Sequence, residues 1–336
     1  MEVLIGLLII AVGAFCQSSS YVPINKIKSW SWETFWMVQG VFAWLLFPLL
    51  GGLLAVPQGE SLIGLFTANP KASLLTMFFG MLWGIGGLTF GLSMRYLGVA
   101  MGQSIALGAC SGLGAILGPV FTGNSSAITG AVVVGVVVTL IGIAIIGAAG
   151  VMKTRNLPEE ERKKAVKDFN LSKGLTVALL AGFMSACFNI GLNFGAPLAW
   201  EGSKPIFASL PATLLVTLGG CVSNAVYCFW QNSRNHTWGD YKNKALWGNN
   251  ILFCALAGAL WYSQFFGLSL GKGFFGDYPA LITFSWCILM SLNIIFSNIW
   301  GVILKEWKGV SRRTVTVLVG GILVLMISLV IPYVLK

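Results

Sequence analysis

Charge is scarce in this chain. Lys, Arg, Asp and Glu make up 10% of its 336 residues, against roughly 25% in a soluble domain. A soluble fold of this composition would have little surface to show water. Histidine occurs once, at His236. The seven cysteines have no CxxC spacing and read as small buried residues, neither a disulfide framework nor a zinc site. No phosphate-binding loop of the G-x-x-x-x-G-K-S/T type occurs, so nothing points to ATP as an energy source. A membrane-embedded enzyme would need paired carboxylates, a Cys/His pair or metal ligands inside its apolar segments, and those are missing. No cofactor is expected.

What remains is long and apolar. Charge-free segments run over 3–25, 34–59, 72–94, 96–152, 174–200, 205–233, 245–271, 278–304 and 314–335. About 20 apolar residues cross the hydrocarbon core as a helix. The 96–152 segment has room for two, with a break from Gly118-Pro119 through Gly123-Asn124-Ser125-Ser126. The sequence predicts an all-α integral membrane protein with ten transmembrane helices. The 42 glycines include six pairs spaced by four, among them Gly80/Gly84 and Gly267/Gly271, which suits close helix packing in lipid. Val3–Ala14 resembles a signal segment, but only Glu2 precedes it and no basic stretch does, so it reads as a retained first span.

The net charge of +10 does not indicate nucleic acid, because the basic residues sit in short connections between spans. The connections after spans 1, 3, 5, 7 and 9 hold 17 Lys and Arg; the opposite side, with both termini, holds 4. Basic residues accumulate in the cytoplasm. Both termini are therefore expected outside, with the long connection 153–173 inside. In that connection Asn156 and Pro158 begin an expected short helix with Glu159, Glu160 and Glu161 in its first turn.

The chain repeats itself. Gly80-Met-Leu-Trp83 followed by Phe90-Gly91-Leu92-Ser93 recurs as Gly258-Ala-Leu-Trp261 followed by Phe266-Gly267-Leu268-Ser269. These blocks fall in spans 3 and 8, five apart. Gly13-Ala14-Phe15 is loosely similar to Ala181-Gly182-Phe183. The expected organisation is two inverted five-helix repeats, 1–152 and 174–336, joined by a cytoplasmic linker at 153–173. Inverted repeats are a device of secondary transporters, with the site between similar halves.

Three strings carry a likeness to a known family. They are Lys26-Ile-Lys28-Ser-Trp30-Ser31-Trp32-Glu33-Thr34-Phe35-Trp36, Phe79 to Gly86 with Gly91 to Gly98, and Leu304-Lys305-Glu306-Trp307 with Arg312 to Leu318. They resemble corresponding segments of the L-rhamnose–proton symporter family in the drug/metabolite transporter superfamily, from the first span to the last. The resemblance implies ten helices in two inverted units and proton-coupled uptake of L-rhamnose across the bacterial inner membrane.

A neutral sugar, L-rhamnose or a similar deoxy sugar, needs amides, hydroxyls and aromatic faces. Polar residues in mid-span are costly unless paired or functional. Gln17, Tyr21, Gln39, Asn189, Asn193, Gln264 and Asn293 are the polar candidates, and Trp36, Trp83 and Trp261 the aromatic ones, in a cavity between the halves. Each amide has a plain alternative as an interhelical hydrogen bond. Each tryptophan has one as an interface-belt residue, which suits Trp30 and Trp32 well. Trp286 is a further aromatic of interest.

Coupling rests on few groups. Glu33 opens span 2 on the inside and Asp277 opens span 9 on the outside; no acid lies in mid-span, and each of these two sits where a helix N-terminus alone would hold it. The coupling cation is thus a proton, or sodium bound by amides and carbonyls. Uncoupled sugar transport and export of another metabolite are the alternatives. Membrane lipid is the other partner.

Overall fold

The computed structural model describes residues 1–155, 170–201 and 203–335. Among these every regular element is helical. Ten helical stretches are long and apolar enough to cross a membrane, and we number them as spans: Glu2–Ile24, Trp32–Leu54, Pro70–Leu97, Ala100–Phe121, Gly130–Arg155, Leu171–Phe194, Pro205–Asn235, Lys244–Lys272, Pro279–Ile303 and Arg312–Val334. The helix expected at Asn156 and Pro158, with most of the linker, lies outside the described residues.

The span boundaries follow local chemistry. Proline occupies the first helical position at Pro70, Pro205 and Pro279, where its missing N–H costs nothing. Ser311 accepts a hydrogen bond from the Thr314 amide at 3.3 Å and caps span 10. Gly98, at φ 81°, turns the chain between spans 3 and 4 in the left-handed region that glycine enters freely. One expected boundary moves. The break between spans 4 and 5 does not begin at Gly118-Pro119, because the helix continues to Phe121. Pro119 sits in its last turn and its carbonyl accepts from the Asn124 amide at 2.8 Å, closing the helix after the proline. A short helix at Leu62–Ala68, between spans 2 and 3, was not expected.

The chain forms two compact units. The first comprises Met1–Gly84 and Gly191–Phe274, the second Ile85–Ile190 and Phe275–Lys336. Each draws on both halves of the sequence, and the boundary passes through spans 3 and 6.

In the first unit, span 1 packs along span 8, and spans 7 and 8 both pack on span 2. Span 1 turns its small residues Gly6, Gly13 and Ala14 inward, while Leu4, Leu8 and Val12 stand exposed. That is the arrangement lipid favours, since large apolar side chains gain nothing by leaving it and small ones let backbones meet. A Cβ at Gly13 would lie 2.6 Å from the Ser263 carbonyl oxygen, so this crossing admits no side chain there. Spans 3 and 7 meet as closely, with Gly80 against the Val216 backbone and Gly219 against that of Met77.

The second unit is built differently. Span 5 packs against spans 4 and 10, and span 9 against spans 4 and 5. Trp286 of span 9 is 2% exposed. It stacks on Phe188 with ring centroids 5.7 Å apart, and its indole N–H donates to the Cys110 carbonyl at 3.1 Å. Gly114 gives its ring room. Within this unit the second half of span 3 meets span 6: a Cβ at Gly86 would lie 2.6 Å from the Ser185 amide nitrogen.

Candidate functional site: an aromatic cluster and a buried carboxylate on span 2

Span 2 carries most of the candidate chemistry. Ser31 precedes it in an extended conformation. Its hydroxyl meets that of Thr34 at 2.8 Å, and its amide donates to Asp240 Oδ2 at 2.8 Å. Glu33 lies in the first turn and is 5% exposed. Its Oε1 accepts from Asn235 Nδ2 at 3.0 Å and from the Thr237 hydroxyl at 2.8 Å. Among the described residues no cation pairs with it. The two donors flank His236, which sits at φ 56° at the end of span 7. The lone histidine therefore makes the left-handed turn that carries Thr237 back towards Glu33.

A network continues from there. Asn232 Oδ1 accepts from the Thr34 hydroxyl at 3.1 Å and lies 2.9 Å from the Thr237 hydroxyl oxygen, as an alternative acceptor for the one proton that Thr237 gives to Glu33. Asn232 Nδ2 donates to the Tyr241 hydroxyl at 3.3 Å. Burial pushes the Tyr241 phenol above its usual pKa, so it stays protonated. Asn250 holds the Lys28 backbone from both sides, accepting from its N–H at 3.0 Å and donating to its C=O at 2.8 Å. The connection after span 1 is thereby fastened to span 8 and to the connection after span 7.

Deeper along span 2 the helix widens. Val41–Leu46 forms a π-turn in which the Phe47 amide donates to the Phe42 carbonyl, five residues back. Pro48 follows and has no N–H to offer the Trp44 carbonyl. Turns of this kind recur at functional sites. The Trp44 indole folds back over Gly40, occupying the space a Cβ would need. In the same way the Trp83 ring occupies the space beside Gly220.

Trp44 joins a continuous aromatic cluster. Trp32 stacks on Trp36 at 5.4 Å, and Trp36 meets Trp44 edge to face at 5.5 Å. Trp44 meets Trp261 at 6.3 Å, and Trp261 lies against Trp83 at 5.8 Å. Phe265 packs on Trp261 at 5.2 Å. The Trp36 indole N–H donates to Asn224 Oδ1 at 3.0 Å, and Asn224 is fixed by donating to the Gly220 carbonyl at 2.8 Å.

The structure thus gathers Trp36, Trp83 and Trp261 into one cluster, with Gln39 one turn from Trp36 on the same helix. Gln39 is 2% exposed. Gln264 is buried and donates to the Trp261 carbonyl at 3.1 Å. Gln17 is half-buried and accepts from the Ser18 hydroxyl at 3.4 Å; Asn193 is half-buried. Tyr21 is 63% exposed. Asn189 and Asn293 belong to the second unit, where Asn189 donates to the Gly114 carbonyl at 2.8 Å. Asp277 is exposed, two residues before span 9. Neither Trp44 nor the partners of Glu33 were among the residues expected from the sequence to line a site. The only signal for Trp44 was its position four residues after Gly40, ahead of Pro48.

Ten apolar spans, with a partly buried cluster of aromatic rings and amides on spans 2, 3, 7 and 8, define a multi-pass membrane protein. The chain matches the family described as L-rhamnose-proton symport protein over residues 1–334, and it belongs to that family. Its relatives include the L-rhamnose-proton symporters of Escherichia coli (strain 55989 / EAEC) and Shigella dysenteriae serotype 1 (strain Sd197). Each is 34% identical over 334 residues, covering 94% of this chain and 93% of the relative.

Proposed function

We propose that this protein takes up L-rhamnose across the bacterial inner membrane together with protons, by alternating access between two inverted repeats. The observation that carries the reading is the cluster in the first unit. Rings from spans 2, 3 and 8 meet an amide from span 7, so both proposed repeats supply side chains and none of them is charged. Apolar ring faces with neutral hydrogen-bonding groups suit a polyol and supply no opposite charge to pair with an ionic cargo.

The repeat itself gains support from two crossings. Superposing the Gly80–Trp83 and Phe90–Ser93 blocks on their later copies sets Gly86 opposite residues 262 to 264. Gly13 meets Ser263 in the first unit, and Ser185 meets Gly86 in the second. The pairing favours Gly13-Ala14 opposite Ser185-Ala186, a register four residues later than the Ala181–Phe183 match. It also sets Gln17 opposite Asn189.

Glu33 is the proposed proton carrier. It is buried, lacks a cation and sits where the charge rule puts the cytoplasm. Proteoliposomes should accumulate radiolabelled L-rhamnose on an imposed pH gradient. Glu33→Gln should abolish accumulation while preserving sugar exchange, because exchange needs no net proton movement. Accumulation by this variant would reduce Glu33 to a helix-end residue, and a response to sodium but not to pH would replace the proton. Asp277→Asn should leave coupling intact if Glu33 alone carries it. A reporter active only in the cytoplasm, fused after Lys336, should stay silent if both termini are periplasmic.

A further inference from the structure

Five buried polar side-chain atoms of the first unit lack a hydrogen-bond partner among the described residues, on Trp30, Gln39, Trp44, Gln231 and Tyr262, and two of them, Gln39 Oε1 and Trp44 Nε1, lie on span 2 with the aromatic cluster. Trp44 is 3% exposed and Gln39 2%; among the described residues neither Trp44 Nε1 nor Gln39 Oε1 has a hydrogen-bond partner. Buried polar groups are almost always paired. Here a donor and an acceptor five residues apart on one span are both left over. Their surroundings sharpen the contrast. Trp36, on the same span and in the same cluster, has its indole N–H fully used by Asn224. Trp286 in the second unit gives its own to Cys110. Trp44 is held by backbone devices instead: the π-turn that carries it and the bare Cα of Gly40 on which its ring rests.

A donor and an acceptor together are the complement of a hydroxyl, which both accepts and donates. Flanking rings supply apolar faces for C–H groups. An N–H donor beside the acceptor oxygen suits a hydroxyl better than a bare cation, which only the oxygen could ligate.

We propose that Trp44 and Gln39 are the hydroxyl-reading residues of the sugar site: the Trp44 indole N–H donates to, and Gln39 Oε1 accepts from, hydroxyls of a neutral monosaccharide lying against the Trp36, Trp83 and Trp261 rings. The inference rests on the sugar-uptake reading and assigns residues to it that the family match does not. Trp36, already paired, is left to stacking. Selectivity follows from the unpaired atoms, because a sugar lacking the matching hydroxyl leaves them as it finds them.

The test uses the full chain, purified and in proteoliposomes, with L-rhamnose and its singly deoxygenated analogues. Gln39→Met keeps the length of the side chain and removes the acceptor. L-rhamnose affinity should fall about tenfold, the equivalent of one neutral hydrogen bond. The melting temperature of the sugar-free protein should hold or rise, since a buried unpaired atom has gone. Trp44→Phe should weaken binding to a similar degree. The wild type should discriminate against one deoxy analogue about tenfold, and Gln39→Met should erase that discrimination. Unchanged affinity in both variants, or discrimination retained while affinity and melting temperature fall together, would overturn the assignment and leave sugar uptake standing. A wild-type protein that binds no monosaccharide would sink the uptake reading, and this one with it.

Discussion

Trp286 and Trp44 are both nearly inaccessible, yet their settings differ. Trp286 stacks on Phe188, gives its N–H to Cys110 and fills the notch at Gly114. Its polar atom is paired and its ring has a fitted place, as in any well-packed interior. Trp44 has a fitted place over Gly40, but its N–H has no partner among the described residues. Burial alone therefore does not distinguish the two; the state of the N–H does.

The sharpest way to break this comparison is to remove a ring from each unit. Trp286→Ala should cost about 3–5 kcal/mol of stability, read as a large fall in melting temperature, while the protein that remains folded binds L-rhamnose as before. Trp83→Ala, at a half-buried ring, should cost less stability and lose most of the sugar affinity. The opposite pattern would mean that the cluster is the core and Trp286 the site. A smaller effect is expected from Gly80→Leu, which forces a side chain into the Val216 backbone. Overpacking of this kind costs about 1–3 kcal/mol, and it should lower stability and uptake together, since the crossing of spans 3 and 7 underlies the Trp83 ring. Trp36→Phe should cost about 1 kcal/mol or slightly more, because it strands Asn224 Oδ1; thermal unfolding checks this. The smallest effect belongs to His236→Gly. Glycine relieves the left-handed turn, so stability should hold or rise by up to about 1 kcal/mol, and uptake should keep its wild-type pH profile between about pH 5 and 8. A changed profile would bring the histidine into the coupling pathway.

Much of the architecture was legible because charge and hydropathy segregate so strongly. Each span ends near a Lys, Arg, Asp or Glu or a proline, and a helix in lipid must satisfy its own backbone. Pro119 misled because a proline in the last turn removes little when the next residues can close the helix behind it. The aromatic cluster was partly legible, since Trp83 and Trp261 occupy matching places in the two repeat blocks. Trp44 was not. A π-turn changes the angular position of every later side chain, so reasoning at 3.6 residues per turn points the wrong way. The partners of Glu33 were hidden for another reason. Asn235 and Thr237 lie some two hundred residues away, and only the left-handed conformation of His236 brings both to one carboxylate.

The two crossings at Gly13 and Gly86 bear on the history of the chain. Under the proposed repeat they descend from one ancestral contact, with the glycine on span 1 in one copy and on span 3 in the other. Selection at such a place acts on the pair: one partner must lack a side chain, and either may be the one. Duplicated halves can therefore drift apart residue by residue while the approach of their backbones stays the same. Relatives of this protein should be compared at these four positions jointly, scoring the combined size of each pair, because column-by-column comparison would record change where the geometry had none.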